Sequence, residues 1–173
     1  MPSKRVLFIA EDGFEDLELF YPMYRLMEAG ADVVVASSSR RSLEGKHGYT
    51  VEAGLSYDEV EPGNYAMLVV PGGKSPERVR LHREGVDIVR WFVEQNRPIG
   101  VICHGVQLLI SAGAVKGKKI ACWYGVKDDL VAAGGEFVDG VAVDGNIISA
   151  RHPGDLPEWG RLLVERLSKP RDG

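Results

Sequence analysis

A chain of 173 residues, 45% hydrophobic and 27% charged, is long enough to bury a sizeable core as one domain without disulfides. The formal net charge of -4 and the lack of a basic stripe interleaved with aromatics argue against a nucleic-acid partner. No apolar run approaches a membrane span, the stretch 6–10 is too short for a signal-peptide core, and two cysteines give no disulfide framework, so a reduced cytoplasm is expected.

Taken in order, residues 5–10 read as a buried strand and 11–16 as a polar loop. Apolar side chains at Leu17, Phe20, Tyr21, Tyr24 and Met27 give a helical spacing over 17–29, which Gly30 ends. Pro22 either kinks that helix or marks its first turn. Residues 32–37 form a second strand, so the chain opens with a βαβ unit and a parallel pair. A polar, basic loop over 38–43 precedes a short antiparallel excursion at 45–51. Residues 65–70 are a third buried strand, running straight into Pro71-Gly72-Gly73-Lys74-Ser75-Pro76-Glu77. An amphipathic helix follows over 84–95.

Pro98 then opens a run of small and β-branched residues that halts at Cys103-His104-Gly105, after which Val106, Leu109 and Ile110 recur at helical spacing as far as Gly113. Strand, abrupt turn and helix with a cysteine at the turn is the layout of a nucleophile elbow. Beyond it come a strand at 119–122, a helix at 126–133 stopped by Gly134-Gly135, and short strands at 137–138, 141–143 and 147–149. Asp144-Gly145 is the expected hairpin turn, and 156–167 a closing helix. With no repeat and no long linker, the pattern predicts a single domain over 1–173, a three-layer α/β/α sandwich around a mainly parallel sheet.

Ligands of such sheets bind beyond the carboxyl ends of the strands. Topology therefore brings together the loop 11–16, the loop 71–77 and the turn 103–105. At the elbow, Cys103 faces the positive end of the following helix, which favours thiolate; the plainer reading is a small buried hydrophobe. Glu15 is the candidate acid–base carboxyl beside the thiol, or else a charge complementing a helix N-terminus. Gly72 and Gly73 offer backbone N–H groups for an oxyanion, or form a plain turn. Glu77 is placed to orient His104 as a third triad member, or is a surface carboxylate. Cys122 reads as core, and Trp123 and Tyr124 as pocket wall or packing. His47, His82 and His152 lack metal-ligand spacing, so no metal is expected, and no Gly-rich phosphate loop calls for a nucleotide cofactor.

The segments Gly13-Phe14-Glu15-Asp16-Leu17-Glu18-Leu19, Gly45-Lys46-His47-Gly48-Tyr49, Val70-Pro71-Gly72-Gly73-Lys74-Ser75-Pro76-Glu77, Ile102-Cys103-His104-Gly105 and Ser149-Ala150-Arg151-His152-Pro153-Gly154-Asp155-Leu156 together resemble the PfpI-type branch of the ThiJ/PfpI superfamily. The resemblance implies a flavodoxin-like sandwich with Cys103 as nucleophile, His104 as proton-transfer partner and Glu15 holding the thiol. It implies an oxyanion pocket from the backbone near Gly73 and His104. It also implies a homo-oligomer, dimer or hexamer, in which Glu77 reaches His104 of a neighbouring subunit. Val106 stands where relatives often carry proline, and Tyr124 lies one position beyond their common tyrosine. The implied activity is first a stress-related peptidase acting on small peptides or unfolded protein. The alternatives are a cofactor-independent glyoxalase or deglycase acting on methylglyoxal or glycated groups, and a non-catalytic redox sensor or chaperone using the same cysteine.

Overall fold

In the computed structural model, residues 4–170 are described. In chain order the elements are β1 (Arg5–Ile9), α1 (Asp16–Glu28), β2 (Asp32–Ser37), β3 (Arg41–Glu44), β4 (Thr50–Ala53), β5 (Leu55–Ser56) and β6 (Met67–Val70). They continue with α2 (Ser75–Val79), α3 (Arg83–Glu94), β7 (Ile99–Ile102), α4 (Val106–Ser111), β8 (Lys119–Ile120), α5 (Lys127–Ala132), β9 (Glu136–Phe137), β10 (Ala142–Asp144), β11 (Ile147–Ala150) and α6 (Leu156–Ser168).

The main sheet has the order β10-β11-β7-β6-β1-β2-β5, and only the β10–β11 pair is antiparallel. Strand alternation divides the core into two layers. Along β1, Leu7 and Ile9 face one layer, with Ile88, Val89 and Phe92 of α3 and Leu108 and Leu109 of α4. Val6 and Phe8 face the other, with Leu19, Met23 and Leu26 of α1 and Trp159 and Leu163 of α6. Helices on both faces are what make these strands continuous apolar runs rather than alternating ones. The α/β/α sandwich with its mainly parallel sheet is the architecture the sequence predicts.

Differences are local and have physical reasons. Pro22 lies inside α1, buried, and withholds an N–H from the carbonyl of Glu18 while the helix continues through it. The stretch 38–43, expected as loop, contains most of β3, which pairs antiparallel with β4; residues 45–49 are the turn between them. Strand β8 is shorter than expected because the Ala121 N–H donates to Ser149 Oγ, not to a neighbouring strand. The hairpin turn sits one residue later than expected. Asp144 pairs with Ile147, so Gly145 and Asn146 form the loop, and Gly145 takes the φ of 59° that a glycine-first two-residue turn requires.

Candidate active site

Strands β1, β6 and β7 are adjacent in the sheet, so the segments leaving their carboxyl ends meet. The meeting is stitched by backbone. Phe14 and Gly73 form an isolated antiparallel bridge, the Glu15 N–H donates to Gly72 O at 3.2 Å, and the Lys74 N–H donates to Gly13 O at 2.9 Å. The turn between β3 and β4 joins them: the Lys46 N–H donates to Phe14 O at 2.8 Å.

Cys103 leaves β7 with φ 60°, one of two non-glycine residues in that region among those described. The left-handed conformation costs an L-residue about 1–2 kcal/mol, and sites that hold it aim a side chain. Here it lifts the sulfur out of the sheet into a single helical turn, Cys103–Gly105, that leads into α4. The Cys103 Sγ lies 3.2 Å from His104 Nδ1, and the backbone N–H groups of Gly73 and His104 act on the sulfur as donors.

The carboxyl beside the thiol is Glu18, not Glu15. Glu18 is fully buried; its Oε1 accepts the Gly72 N–H at 3.0 Å, its Oε2 has no nitrogen or oxygen partner, and its side chain interacts with the Cys103 thiol. Burial, then the nearby charge of Glu15, pushes its pKa up to about 8, against the hydrogen bond from Gly72, so the carboxyl is mostly protonated at neutral pH. Glu15 caps α1: its Oε2 accepts the N–H groups of Leu17 at 2.8 Å and Glu18 at 3.3 Å, and its Oε1 pairs with His47 Nε2 at 3.0 Å. It takes the helix N-terminal place that was the plainer reading of its sequence position.

Burial pushes the Cys103 thiol up, to about 12, with the charge of an ionised Glu18 acting in the same direction and the two backbone N–H groups opposing. A thiol lowered by the helix dipole, as the sequence suggested, does not result. Helix α4 has six residues and begins at Val106, three positions beyond the sulfur, so its dipole is weak there. Burial also lowers the His104 pKa, with Lys46 and Lys74 adding to that and Glu77 opposing, so the imidazole is neutral at pH 7.

Of the two glycines expected to supply N–H groups, Gly73 meets the sulfur while the Gly72 N–H is taken by Glu18. Glu77 stands exposed on α2; within one chain its charge acts on His104, with no hydrogen bond between them. Cys122 is buried core, and the Trp123 N–H donates to Cys103 O at 3.2 Å. The Tyr124 hydroxyl donates to Asp139 and accepts from Arg151, which places it in a surface network.

Gly73 is the keystone of this junction. At its φ of 74° a Cβ would come within 2.5 Å of Glu15 N and Gly13 O. Gly73→Ala is expected to cost roughly 2–4 kcal/mol in chemical denaturation. It is also expected to slow alkylation of Cys103 by iodoacetamide, because one thiolate donor moves away.

Residues 4–166 match the DJ-1/PfpI family. The chain is 48% identical over 164 residues to deglycase PfpI of Pyrococcus furiosus, covering 94% of this chain and 99% of that one. It is 49% identical over 164 residues to a deglycase of Thermococcus kodakarensis, with the same coverage. Among solved structures, the fold is similar to a two-domain protein with a DJ-1/ThiJ/PfpI-like domain from Anabaena variabilis at TM-score 0.94 and 32% identity; the match covers 95% of this chain and 48% of that one. It is also similar to Drosophila melanogaster DJ-1beta at TM-score 0.89 and 26% identity, covering 96% of this chain and 91% of that one. With its fold and nearly its whole length matched, the chain belongs to the DJ-1/PfpI family.

Proposed function

We propose that the protein is a cofactor-independent deglycase with glyoxalase chemistry, removing α-oxoaldehyde groups from amines and thiols through Cys103. The observation that carries this reading is a buried carboxyl with pKa about 8 beside a strained thiol that also lies 3.2 Å from an imidazole nitrogen. Two proton carriers adjoining one nucleophile suit a reaction whose central step moves a proton between neighbouring carbons. The names of the archaeal relatives support the same reading over a peptidase.

Glu18 and Cys103 are too close to carry charge together, and Glu18 is the more acidic of the two, so thiolate beside a protonated Glu18 is the minor form of the pair and the one that reacts. Their hydrogen bond raises the thiol and lowers the carboxyl, so at rest the S–H donates to Glu18; once the proton passes to Glu18 its repulsion of the sulfur vanishes, and its O–H joins the Gly73 and His104 N–H groups in stabilising thiolate. The thiolate attacks the aldehyde-derived carbon of an adduct; a C–S bond forms, the bond to the amine breaks, and the amine leaves with the proton that Glu18 held, so that Glu18 becomes a carboxylate. The hemithioacetal carbon then loses its proton to His104 or Glu18, and the adjacent ketone carbon gains one, giving a thioester. Water cleaves the C–S bond, releasing a hydroxy acid and restoring the thiol. The sum is adduct plus water to amine plus hydroxy acid, with no external oxidant. The N–H groups facing the sulfur are the nearest donors to an oxyanion on the carbon attached to it.

A homo-oligomer belongs to the same reading. Leu17, Tyr24 and Met27 of α1 and Tyr49 beside them are each at least half exposed, an apolar stripe suited to a second copy. The test of function is to incubate the protein with methylglyoxal adducts of N-acetylarginine and N-acetylcysteine, and separately with casein and a fluorogenic peptide. Lactate appearing together with the freed amino acid is the expected result. Peptide cleavage without lactate would return the assignment to a peptidase, and no turnover of any substrate would leave a redox sensor.

A further inference from the structure

Two cations at the rim of this site have no counterpart in the chemistry derived above. Lys46 and Lys74 come from different elements, yet their backbone N–H groups donate to consecutive carbonyls, Phe14 O at 2.8 Å and Gly13 O at 2.9 Å. That segment also bridges Gly73, so the two lysines are fixed on either side of the loop that borders the sulfur. Both side chains are exposed, and neither ammonium joins an ion pair or hydrogen bond among the described residues. The nearby carboxylates are otherwise engaged: Glu15 by His47 and two N–H groups, Asp16 by the N–H groups of His47 and Tyr49. Both lysine charges are felt at His104, and that of Lys46 also at Glu18. Exposed Glu77 is the one opposing charge felt at His104.

Resting on the deglycase reading, we infer that Lys46 and Lys74 select substrates: the preferred adducts carry an anionic group at the end remote from the reacting carbonyl, as a glycated amino acid with a free carboxylate does. An ammonium on a flexible stem attracts an anion without demanding one geometry, which fits adducts of varied shape. Two exposed charges without partners raise the local concentration of anions and discriminate by charge, not by contour. The effect is screened by salt.

The test compares methylglyoxal adducts of N-acetylcysteine, which is anionic, and of its neutral amide. In the wild type kcat/KM is expected to favour the anionic adduct by about fivefold, since each exposed pair contributes modestly. In the Lys46→Ala/Lys74→Ala variant that ratio should fall towards one, and in Lys46→Arg/Lys74→Arg it should return. A second readout needs no turnover: the alkylation rate of Cys103 by iodoacetate relative to iodoacetamide should drop by a similar factor in the double alanine variant and recover in the arginine variant. Equal ratios in wild type and alanine variant by both readouts would overturn the inference while leaving the deglycase reading intact. No turnover of either adduct by the wild type would overturn that reading and the substrate claim with it, whatever the alkylation ratio.

Discussion

Replacing Glu18 by Gln is expected to make the protein more stable and less active at once. A carboxyl whose pKa is about 8 in the fold and 4.5 in the unfolded chain binds its proton more tightly when folded. Its contribution to stability is complete below pH 4.5 and is lost as pH rises towards 8. By pH 7 that loss is of the order of 3 kcal/mol. Glutamine is neutral at every pH, can accept the Gly72 N–H and can turn its amide N–H to the sulfur. Urea midpoints measured at pH 5 and pH 8 should therefore show Glu18→Gln gaining on the wild type as pH rises. A gap that stays constant across that range would mean Glu18 is already ionised in the fold. Turnover should fall by about 100-fold or more, because an amide cannot carry the proton that the carbon-to-carbon transfer needs.

Cys103→Ala should abolish turnover outright, since every covalent intermediate is formed on its sulfur and the second thiol, Cys122, is fully buried. The same position separates chemistry from strain. Cys103 has φ 60°, and Ala keeps that cost while Gly does not. Cys103→Gly should thus be as inactive as Cys103→Ala yet more stable by about 1 kcal/mol. Lactate release and chemical denaturation on the two variants read the two effects independently. Lactate formation persisting in both variants would remove the sulfur from the mechanism. Equal stability would mean that the surroundings, not the side chain, impose the left-handed turn.

The error over the carboxyl has a traceable origin in α1. The helical spacing of Leu17, Phe20, Tyr21, Tyr24 and Met27 suggested the buried face, but Leu17, Tyr24 and Met27 are half exposed or more. The face against the sheet is Leu19, Pro22, Met23 and Leu26, and Glu18 precedes Pro22 by four residues on that stripe. An acidic residue in step with a buried stripe was the available signal. It was masked because the outer face of α1 is as apolar as the inner one, and amphipathic reasoning needs one polar face. Glu15 meanwhile obeyed a local rule, capping the helix just ahead of it.

The elbow was legible because its parts are local. A buried strand, a cysteine, a histidine and a glycine in sequence determine a sharp turn wherever the sheet lies. The convergence of the loops 11–16 and 71–77 on that turn followed from parallel topology, and the Phe14–Gly73 bridge is its realisation. Acidity was not legible. The shift of the Cys103 thiol is set by burial and by a side chain 85 positions earlier, and neither is a property of the strand–turn–helix pattern. The short strand β5 escaped notice for a related reason: two residues give too little periodicity to read.

The claim at the centre is that Glu18 keeps its proton so that Cys103 can carry the charge. Measuring the rate of Cys103 alkylation by iodoacetamide across pH, in wild type and Glu18→Gln, tests it most directly. Below pH 8 Glu18 still holds its proton, and an amide N–H is a weaker donor to thiolate than a carboxylic O–H, so the account predicts slower alkylation of the variant in that range. Faster alkylation of the variant below pH 8 would mean Glu18 was ionised there and repelling the sulfur, and would contradict the account.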